Sequence, residues 1–595
     1  MNTTKLSNKI PTLSLALFLG ASAAFAADEI YTAPSFFDGE TGAYYGPDCD
    51  NTNYSGAYYT GKYVSPFTTV LGKTEEDIQK KLDQLWNHYF KGDDNSKVFY
   101  DQGNDGGYIM DTGNNDIRSE GMSYGMMISV QTNHKETFDK IWKYAKNHMW
   151  HKGDEWDGYF SWQIRIGGGG DNKPAPDGEL YFMTALLFAA NRWNDSQYMD
   201  DAQYILNRMW NNPQYKLFNT GNYIVTFQPT PGNTDFSDPS YDLPAFVELF
   251  SRWSKTDQDK WQKAVTATRD HLYKSSHSTT GLFTDYNNFD GTPHSGFDSN
   301  NPSDTYMFDA IRCAMNFGMD YYLFGADTKR ETEMAKKILD FFHKDNYSHA
   351  HFQWDGSLVN NHQNDPYTLG QKGANAVATY AVLDDPSYEE KIKKNLSLAW
   401  DGEPLTGPQR YYDGLVHFLA MLHLTGHFKI WKPMPEVEKK TVEGEYNGET
   451  FDKDTTFNAF EGCKLYELTV KPASKPAQQD TTAKETTDVQ DTTAQTPATT
   501  DTTTQNPPAP TDTTALDTTS IALAAIKAVG AAKVWANNGA IFIENAAIGS
   551  KYTVTDMNGR VLKSARISSA SQEIQLANKG AMLVIVGNKA YKVMK

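Results

Sequence analysis

The chain has 595 residues, a formal net charge of −19, 13% aromatic residues and three cysteines. That length allows one large domain with appendages. The acidic balance argues against a nucleic-acid partner, since polyanion binding needs a basic face, and the three cysteines read as neither a disulfide scaffold nor a zinc site.

Residues 1–26 read as an export signal. Lys5 and Lys9 form a basic start, Leu13 to Ala24 an apolar stretch, and Ala24-Phe25-Ala26 a small-residue cleavage site. The mature chain is expected to begin near Ala27 and to be secreted or held at a bacterial cell surface. No later apolar run is long enough to span a bilayer. Cys313 falls in a helical pattern and reads as a buried thiol. Cys49 and Cys463 flank the main domain, and an oxidising compartment would permit their pairing; spacing alone leaves it open.

From about Thr74 to Gly426 the apolar period is helical. Helices are predicted to start near Glu75, Ser119, Lys135, Asp177, Ser196, Tyr241, Asp257, Ser303, Thr328, Gly370, Ser387 and Gln409. Many form pairs, an apolar helix followed by a charged amphipathic one. Thr184 to Ala190 is apolar nearly all round and should be buried, whereas Tyr198 to Trp210 is mixed. Six inner and six outer helices would make an all-α toroid of helix pairs. Periodicity supplies the pairs but not the closure of the ring.

Glu120, in the run Arg118 to Met127, sits at a helix entry with Ser119 as the predicted N-cap. Desolvation beside Tyr and Met would raise its pKa and make it a general acid; the alternative is that it complements the helix dipole. The same run contains Gly121-Met122-Ser123-Tyr124-Gly125, a G-x-S-x-G pattern. A serine nucleophile there needs a strand entering the turn, and the preceding Asp111 to Asp116 stretch is polar and turn-rich. Asp105, Asp111 and Asp116 lack the spacing of a calcium loop. Gly167 to Gly170 lacks the Lys-Ser/Thr of a phosphate loop. No metal and no cofactor are expected.

Trp162 lies in an aromatic polar segment, Gly158 to Gln163, of the kind that sugar clefts use. Asp177 opens the most apolar helix, either as a cap or as a working carboxylate. Asp309 is predicted inside an apolar helix with Arg312 one turn on; such a pair is either structural or a positioned base.

Glu436 to Lys471 reads as short strands docked on the main domain, which with its flanks spans 27–471. Residues 472–520 are Thr-, Asp-, Ala-, Pro- and Gln-rich and cannot bury enough surface to fold. Residues 521–595 regain strand character at 540–544, 552–555, 573–576 and 582–586, with turns at Asn537-Asn538-Gly539 and Met557-Asn558-Gly559. A small β-sandwich is expected. It resembles the C-terminal sorting domains of the Gram-negative type IX system, which implies secretion machinery or surface attachment. The rival, a carbohydrate-binding module, has few aromatics to work with: Trp535, Tyr552 and Tyr591.

Three segments together resemble glycoside hydrolase family 8. Ser119-Glu120-Gly121 through Met126 matches its S-E-G-x-x-Y-G-M block. Ala175-Pro176-Asp177-Gly178-Glu179 keeps the spacing of A-[ST]-D-[AG]-D through Trp193 but departs at Pro176 and Glu179. Asp309-Ala310-Ile311-Arg312 matches D-A-x-R. Ser237 to Pro244 and Arg410 to Asp413 extend the likeness over Tyr58 to Trp431. The resemblance implies an (α/α)6 barrel and an inverting mechanism with Glu120 as proton donor, Asp309 as base, and Asp177 bound to the sugar at the cleavage site. It also implies that Tyr241 touches that sugar or the water, and Arg312 should favour the charged form of its neighbour. Trp162, Tyr411 and Tyr412 are stacking candidates. Xylan-degrading members are the most similar, so the expected activity is endo-hydrolysis of β-1,4-xylosidic bonds in xylan or xylo-oligosaccharides. Alternatives are a reducing-end xylose-releasing exo-oligoxylanase, a β-1,4-glucanase, and a non-catalytic carbohydrate-binding surface protein. Endo or exo action turns on whether the loop near Trp354 to Gly370 blocks the cleft.

Overall fold

The computed structural model describes residues 30–32, 36–48, 54–296, 302–446, 449–461 and 464–473, and seven strands between 533 and 594. Residues 1–26, expected to be an export signal, Cys49, Cys463 and nearly all of the 472–520 segment lie outside the described residues. The chain divides into two units, Met1–Pro476 and Ala477–Lys595.

Among the described residues of the first unit there are twelve helices of ten or more residues. They are α1 (Glu75–Lys91), α2 (Ser119–Gln131), α3 (Lys135–His148), α4 (Pro176–Arg192), α5 (Ser196–Asn211), α6 (Pro244–Trp253), α7 (Gln258–Ser275), α8 (Arg312–Leu323), α9 (Thr328–Lys344), α10 (Leu369–Ala378), α11 (Glu389–Trp400) and α12 (Tyr412–Leu424). Local chemistry starts several of them. Thr74 with Asp77, and Thr368 with Gln371, form reciprocal capping boxes. Asp195 caps α5, and Pro176 and Pro244 occupy first-turn positions where no N–H is missed.

The even-numbered helices α2, α4, α10 and α12 are buried on nearly every face, whereas α1, α3 and α9 bury one stripe and show charge on the other. Each even helix packs against the next, and α12 packs back on α2, so the inner ring closes. Each inner helix also contacts an outer one, α12 with α1 and the rest with the helix that follows. One continuous apolar core runs through both rings. No helix among the described residues is long and apolar enough to cross a membrane.

Three predicted starts move, for one reason. Ahead of α6, α8 and α12 the chain makes short 3₁₀ turns, Pro239–Tyr241, Asp309–Ile311 and Pro408–Arg410. Asp309 therefore lies on a turn, not inside a helix. Its backbone N–H and that of Ala310 both donate to Oδ1 of Asp285, at 3.1 and 3.0 Å, in place of helical carbonyls. Upstream, Thr305–Tyr306 pairs as a strand with Phe352–Gln353, so Ser303 starts no helix.

The segment after the barrel forms a sheet in the order Ile30–Thr32, Thr455–Glu461, Lys464–Lys471, Val437–Glu443, antiparallel except for the last pairing. It docks as expected: Phe460 and Leu465 pack with Phe36 and Tyr44, and Tyr44 bridges to Lys432 just after the barrel. Among described cysteines, Cys313 is free and buried.

The described residues of the second unit form two antiparallel sheets. One is ordered Lys533–Asn537, Ala540–Glu544, Ser571–Gln575; the other is ordered Val561–Arg566, Lys551–Asp556, Ala581–Val586, Lys589–Met594. Ile541, Ile543 and Ile574 from the first share one buried cluster with Val554, Met582 and Val584 from the second.

Because the barrel and its docked sheet close their own core, a chain ending at Pro476 should keep the full-length protein's cooperative thermal transition and helical circular dichroism. Loss of the transition on truncation would show that the barrel needs the second unit.

Candidate active site

The first residue of α8, Arg312, organises one end of the barrel. Its Nη1 donates to Oε2 of Glu120 at 2.9 Å, to the Tyr124 hydroxyl at 2.7 Å and to Oδ2 of Asp177 at 2.7 Å. Its Nη2 donates to Oγ of Ser240 at 2.7 Å and to Oδ1 of Asp309 at 3.0 Å. A further carboxylate, Asp238, stands 3.8 Å from Nη2. One guanidinium thus gathers residues from α2, α4, α8 and the turns before α6 and α8. Arg312 is a hub for all three predicted carboxylates, not only a partner of Asp309.

Position in each element explains each contact. Arg118, not Ser119, is the N-cap of α2 and makes no side-chain cap bond, and Ser119 Oγ is buried without a hydrogen-bond partner; Glu120 falls in the first turn, aimed at Arg312. Asp177 is not a cap either. Ala175 takes that position, and Asp177 uses Oδ1 for the Gly178 N–H at 2.8 Å, leaving Oδ2 for Arg312. Ser240 is fixed from behind: Nδ2 of Asn316 donates to the Ser240 and Asp242 carbonyls at 2.8 and 3.0 Å.

Four carboxyl groups around one cation cannot all ionise cheaply out of water. Burial pushes Glu120 up to about 7; Arg312 opposes the shift, and the nearby Asp177 and Asp309 reinforce it. Burial also raises Asp177 against the pull of Arg312, and holds Asp238 well above the carboxylate range. Glu179, at the signature's second Asp, is buried too. It accepts the Phe160 N–H at 3.0 Å, and burial raises its pKa strongly. The side chain of Asp309 is 30% exposed against 6% for Asp177 and 15% for Glu120, so it is the carboxylate most open to solvent.

A cavity of about 1150 Å³ opens on the site, lined by Glu120, Asp309, Tyr411 and Tyr412 and extending to His351 and Asp365. The hydroxyls of the two tyrosines are both engaged. Tyr411 is buried and donates its hydroxyl to Oε1 of Glu120 at 2.8 Å. Tyr412 donates to the Phe308 carbonyl at 2.7 Å, with its ring 5.9 Å from the Arg312 guanidinium. Hydroxyl bonding fixes both rings, so positioning adds to or replaces stacking. The Tyr241 ring lies at the same 5.9 Å from the Arg312 guanidinium. Trp162 is half-buried with its ring 5.5 Å from the Arg118 guanidinium; Arg118 lines the cavity and Trp162 does not.

The serine-nucleophile pattern dissolves. A short strand, Asp116–Arg118, does lead into α2, but Ser123 lies inside that helix, fully buried, and donates to the Glu120 carbonyl at 2.9 Å. The three aspartates of the polar loop do not gather. Asp111 and Asp116 both bind Nε of Arg118, at 3.0 and 3.1 Å, while Asp105 pairs with His148. Tyr124, Ser240 and Asp238 lay within the quoted motifs but carried no signal of their own. Asp285 lay outside every motif.

The model of glycosyl hydrolases family 8 matches residues 100–426, and a domain of unknown function (DUF6383) matches 521–595. The second match gives no support to the sorting-domain resemblance. The chain is 36% identical over 397 residues to a reducing end xylose-releasing exo-oligoxylanase of Halalkalibacterium halodurans, spanning 64% of this chain and 98% of that protein. It is 25% identical over 345 residues to endoglucanase C of Ruminiclostridium cellulolyticum, covering 56% and 69%. The crystal structure of a reducing end xylose-releasing exo-oligoxylanase, 36% identical, superposes with a TM-score of 0.58 over 64% of this chain and 99% of the other. A mutant of Rex8A from Paenibacillus barcinonensis, complexed with an arabinofuranosyl-xylotetraose, gives 0.59 at 34% identity, covering 64% of this chain and all of its own. The closed double ring, the carboxylates gathered on Arg312 and these matches agree: the chain belongs to glycoside hydrolase family 8 and is a glycoside hydrolase.

Proposed function

We propose that this enzyme hydrolyses β-1,4-linked xylo-oligosaccharides with inversion and releases xylose from the reducing end. The observation that carries the chemistry is the pairing on Arg312 of a buried carboxyl raised to about 7, Glu120, with the more exposed carboxylate Asp309. Glu120 gives its proton to the departing glycosidic oxygen. Asp309 takes a proton from water, which attacks the anomeric carbon from the opposite ring face. Asp177 and Tyr241 hold the sugar between them.

The relatives favour exo over endo action. Those named exo-oligoxylanases match at 32–36% identity over 94–100% of their lengths, while endoglucanases match at 25% over about 70% of theirs. The segment between α9 and α10 supports the same reading, since His351, His362, Asp365, Pro366 and Tyr367 wall the cleft there. Export of the enzyme, with the second unit serving in secretion or surface attachment, rests on residues 1–26 and 521–595. It predicts Ala27 as the N-terminal residue of the extracellular protein; a chain retained in the cytoplasm with Met1 intact would refute it.

Proton NMR of xylotriose hydrolysis tests the main reading. Xylose and xylobiose should appear together, and the newly formed reducing end should start as the α-anomer. An initial β-anomer would mean a covalent intermediate, and rapid shortening of long xylan would mean endo cleavage. In the same assay Asp309→Asn should be slower by about 10²–10⁴-fold, the range for losing a general base.

The pH profile supplies a second check. Glu120 acts as an acid only while protonated, so kcat/KM should fall as pH rises through about 7. Arg312 draws the Glu120 pKa down, so Arg312→Met, besides lowering the rate, should move that alkaline limb to higher pH. An unmoved limb would assign it to another group.

A further inference from the structure

Three side chains on the segment joining α9 to α10 converge on one point. Nδ1 of His351 lies 2.9 Å from Oδ2 of Asp365, and Nδ1 of His362 lies 2.8 Å from the same oxygen. Their ligand atoms all fall within 4.8 Å of one another, and no other group of three His, Cys, Asp or Glu among the described residues does so. The two rings stand nearly perpendicular, at 82° with centroids 5.1 Å apart, so they reach the carboxylate from different directions.

The backbone holds these ligands in place. The Ala350 N–H donates to the Asp365 carbonyl at 3.0 Å, and Asp365 N–H to the His362 carbonyl at 3.2 Å. His349 bridges to Pro366, and Phe352–Gln353 pairs with Thr305–Tyr306. All three ligand residues line the catalytic cavity. The His351 ring meets Phe308 edge-on, with centroids 5.4 Å apart, and Phe308 precedes Asp309 in the chain. Nothing in the acid–base chemistry requires two imidazoles on one carboxylate at that spot.

Two imidazoles and one carboxylate, with further positions left to water, form a donor set for borderline divalent cations. Mg²⁺ and Ca²⁺ demand oxygen ligands, and soft cations demand sulfur. We propose that His351, His362 and Asp365 bind one zinc-class divalent cation, and that the bound ion inhibits hydrolysis by occupying the cleft next to Phe308. Zinc bonds near 2.0–2.1 Å set tetrahedral ligand atoms about 3.3 Å apart, so the two contacts open by about half an ångström on binding. Each neutral ring then carries its proton on Nε2, leaving Nδ1 free to coordinate. The ion takes no part in the chemical step.

Isothermal titration of the chelator-stripped full-length protein with ZnCl₂ at pH 7.5 tests the site without relying on activity. One equivalent should bind, and MgCl₂ and CaCl₂ should give no saturable heat. His362→Ala and Asp365→Asn should each weaken zinc binding beyond the roughly 10–100-fold that changes outside the ligand shell cost. His351→Gln serves as the third test if either variant fails to show native circular dichroism. Hydrolysis of xylotriose should be inhibited over the same zinc range and restored by EDTA. Absence of saturable zinc binding, or binding unchanged in the folded variants, would overturn the site; binding without inhibition would overturn its placement in the substrate path.

Discussion

The buried guanidinium of Arg312 is the constraint on which the rest of the site depends. Its side chain is 3% exposed, yet it contacts Glu120, Asp177 and Asp309 directly and stands near Asp238. Burial works against its charge, and the surrounding phenols and carboxylates outweigh that cost. Removing one member of such a group leaves uncompensated charge out of water, a loss of about 3–5 kcal/mol in buried pairs. The arrangement is therefore cooperative. It keeps Glu120 near a pKa of 7 by balancing burial and like charges against a single cation.

The closed inner ring makes that balance possible. Each outer helix returns the chain, so the inner helices run in one direction and bring their N-terminal ends together. Glu120 and Asp177 lie in the first turns of α2 and α4, Tyr241 and Asp309 on turns before α6 and α8, and Tyr411 just before α12. Helix N-termini favour negative charge, so the end where the acids collect is the end that tolerates them. The turns also explain why carboxylates at a helix entry act as something other than caps. At Asp309 the backbone demand is met by Asp285, which leaves the Asp309 carboxylate to line the cavity with Glu120, while Asp177 divides its oxygens between the Gly178 N–H and Arg312.

The aromatic residues divide by the same logic. In a sugar cleft a tyrosine is easily assigned to stacking, but Tyr411 and Tyr412 are committed through their hydroxyls, to Glu120 and to the Phe308 carbonyl. A phenol hydroxyl taken partly out of water needs a partner, and here the partners are the Glu120 carboxylate and the backbone beside Asp309. The segment between α9 and α10 differs in kind: it adds His351, His362 and Asp365 to the cavity wall, away from the carboxylates gathered on Arg312.

Much of this protein was determined by the sequence itself. The 3.6-residue period and its alternation between apolar and amphipathic helices set twelve elements in pairs, and the carboxylates Glu120, Asp177 and Asp309 stood out by motif and spacing. Strand pattern marked four of the seven strands described in the second unit. What the period could not decide was closure, because packing of α12 on α2 is a contact between residues almost 300 positions apart. Nor could it show that Asp309 leaves the helix, since that follows from Asp285 capturing two N–H groups from 24 and 25 residues upstream. The convergence of Arg312 on four carboxyl groups, and of two histidines on Asp365, exists only once the ring is closed and its loops are paired. Local sequence encodes backbone preference and burial; which charges share a neighbourhood is set by long-range packing.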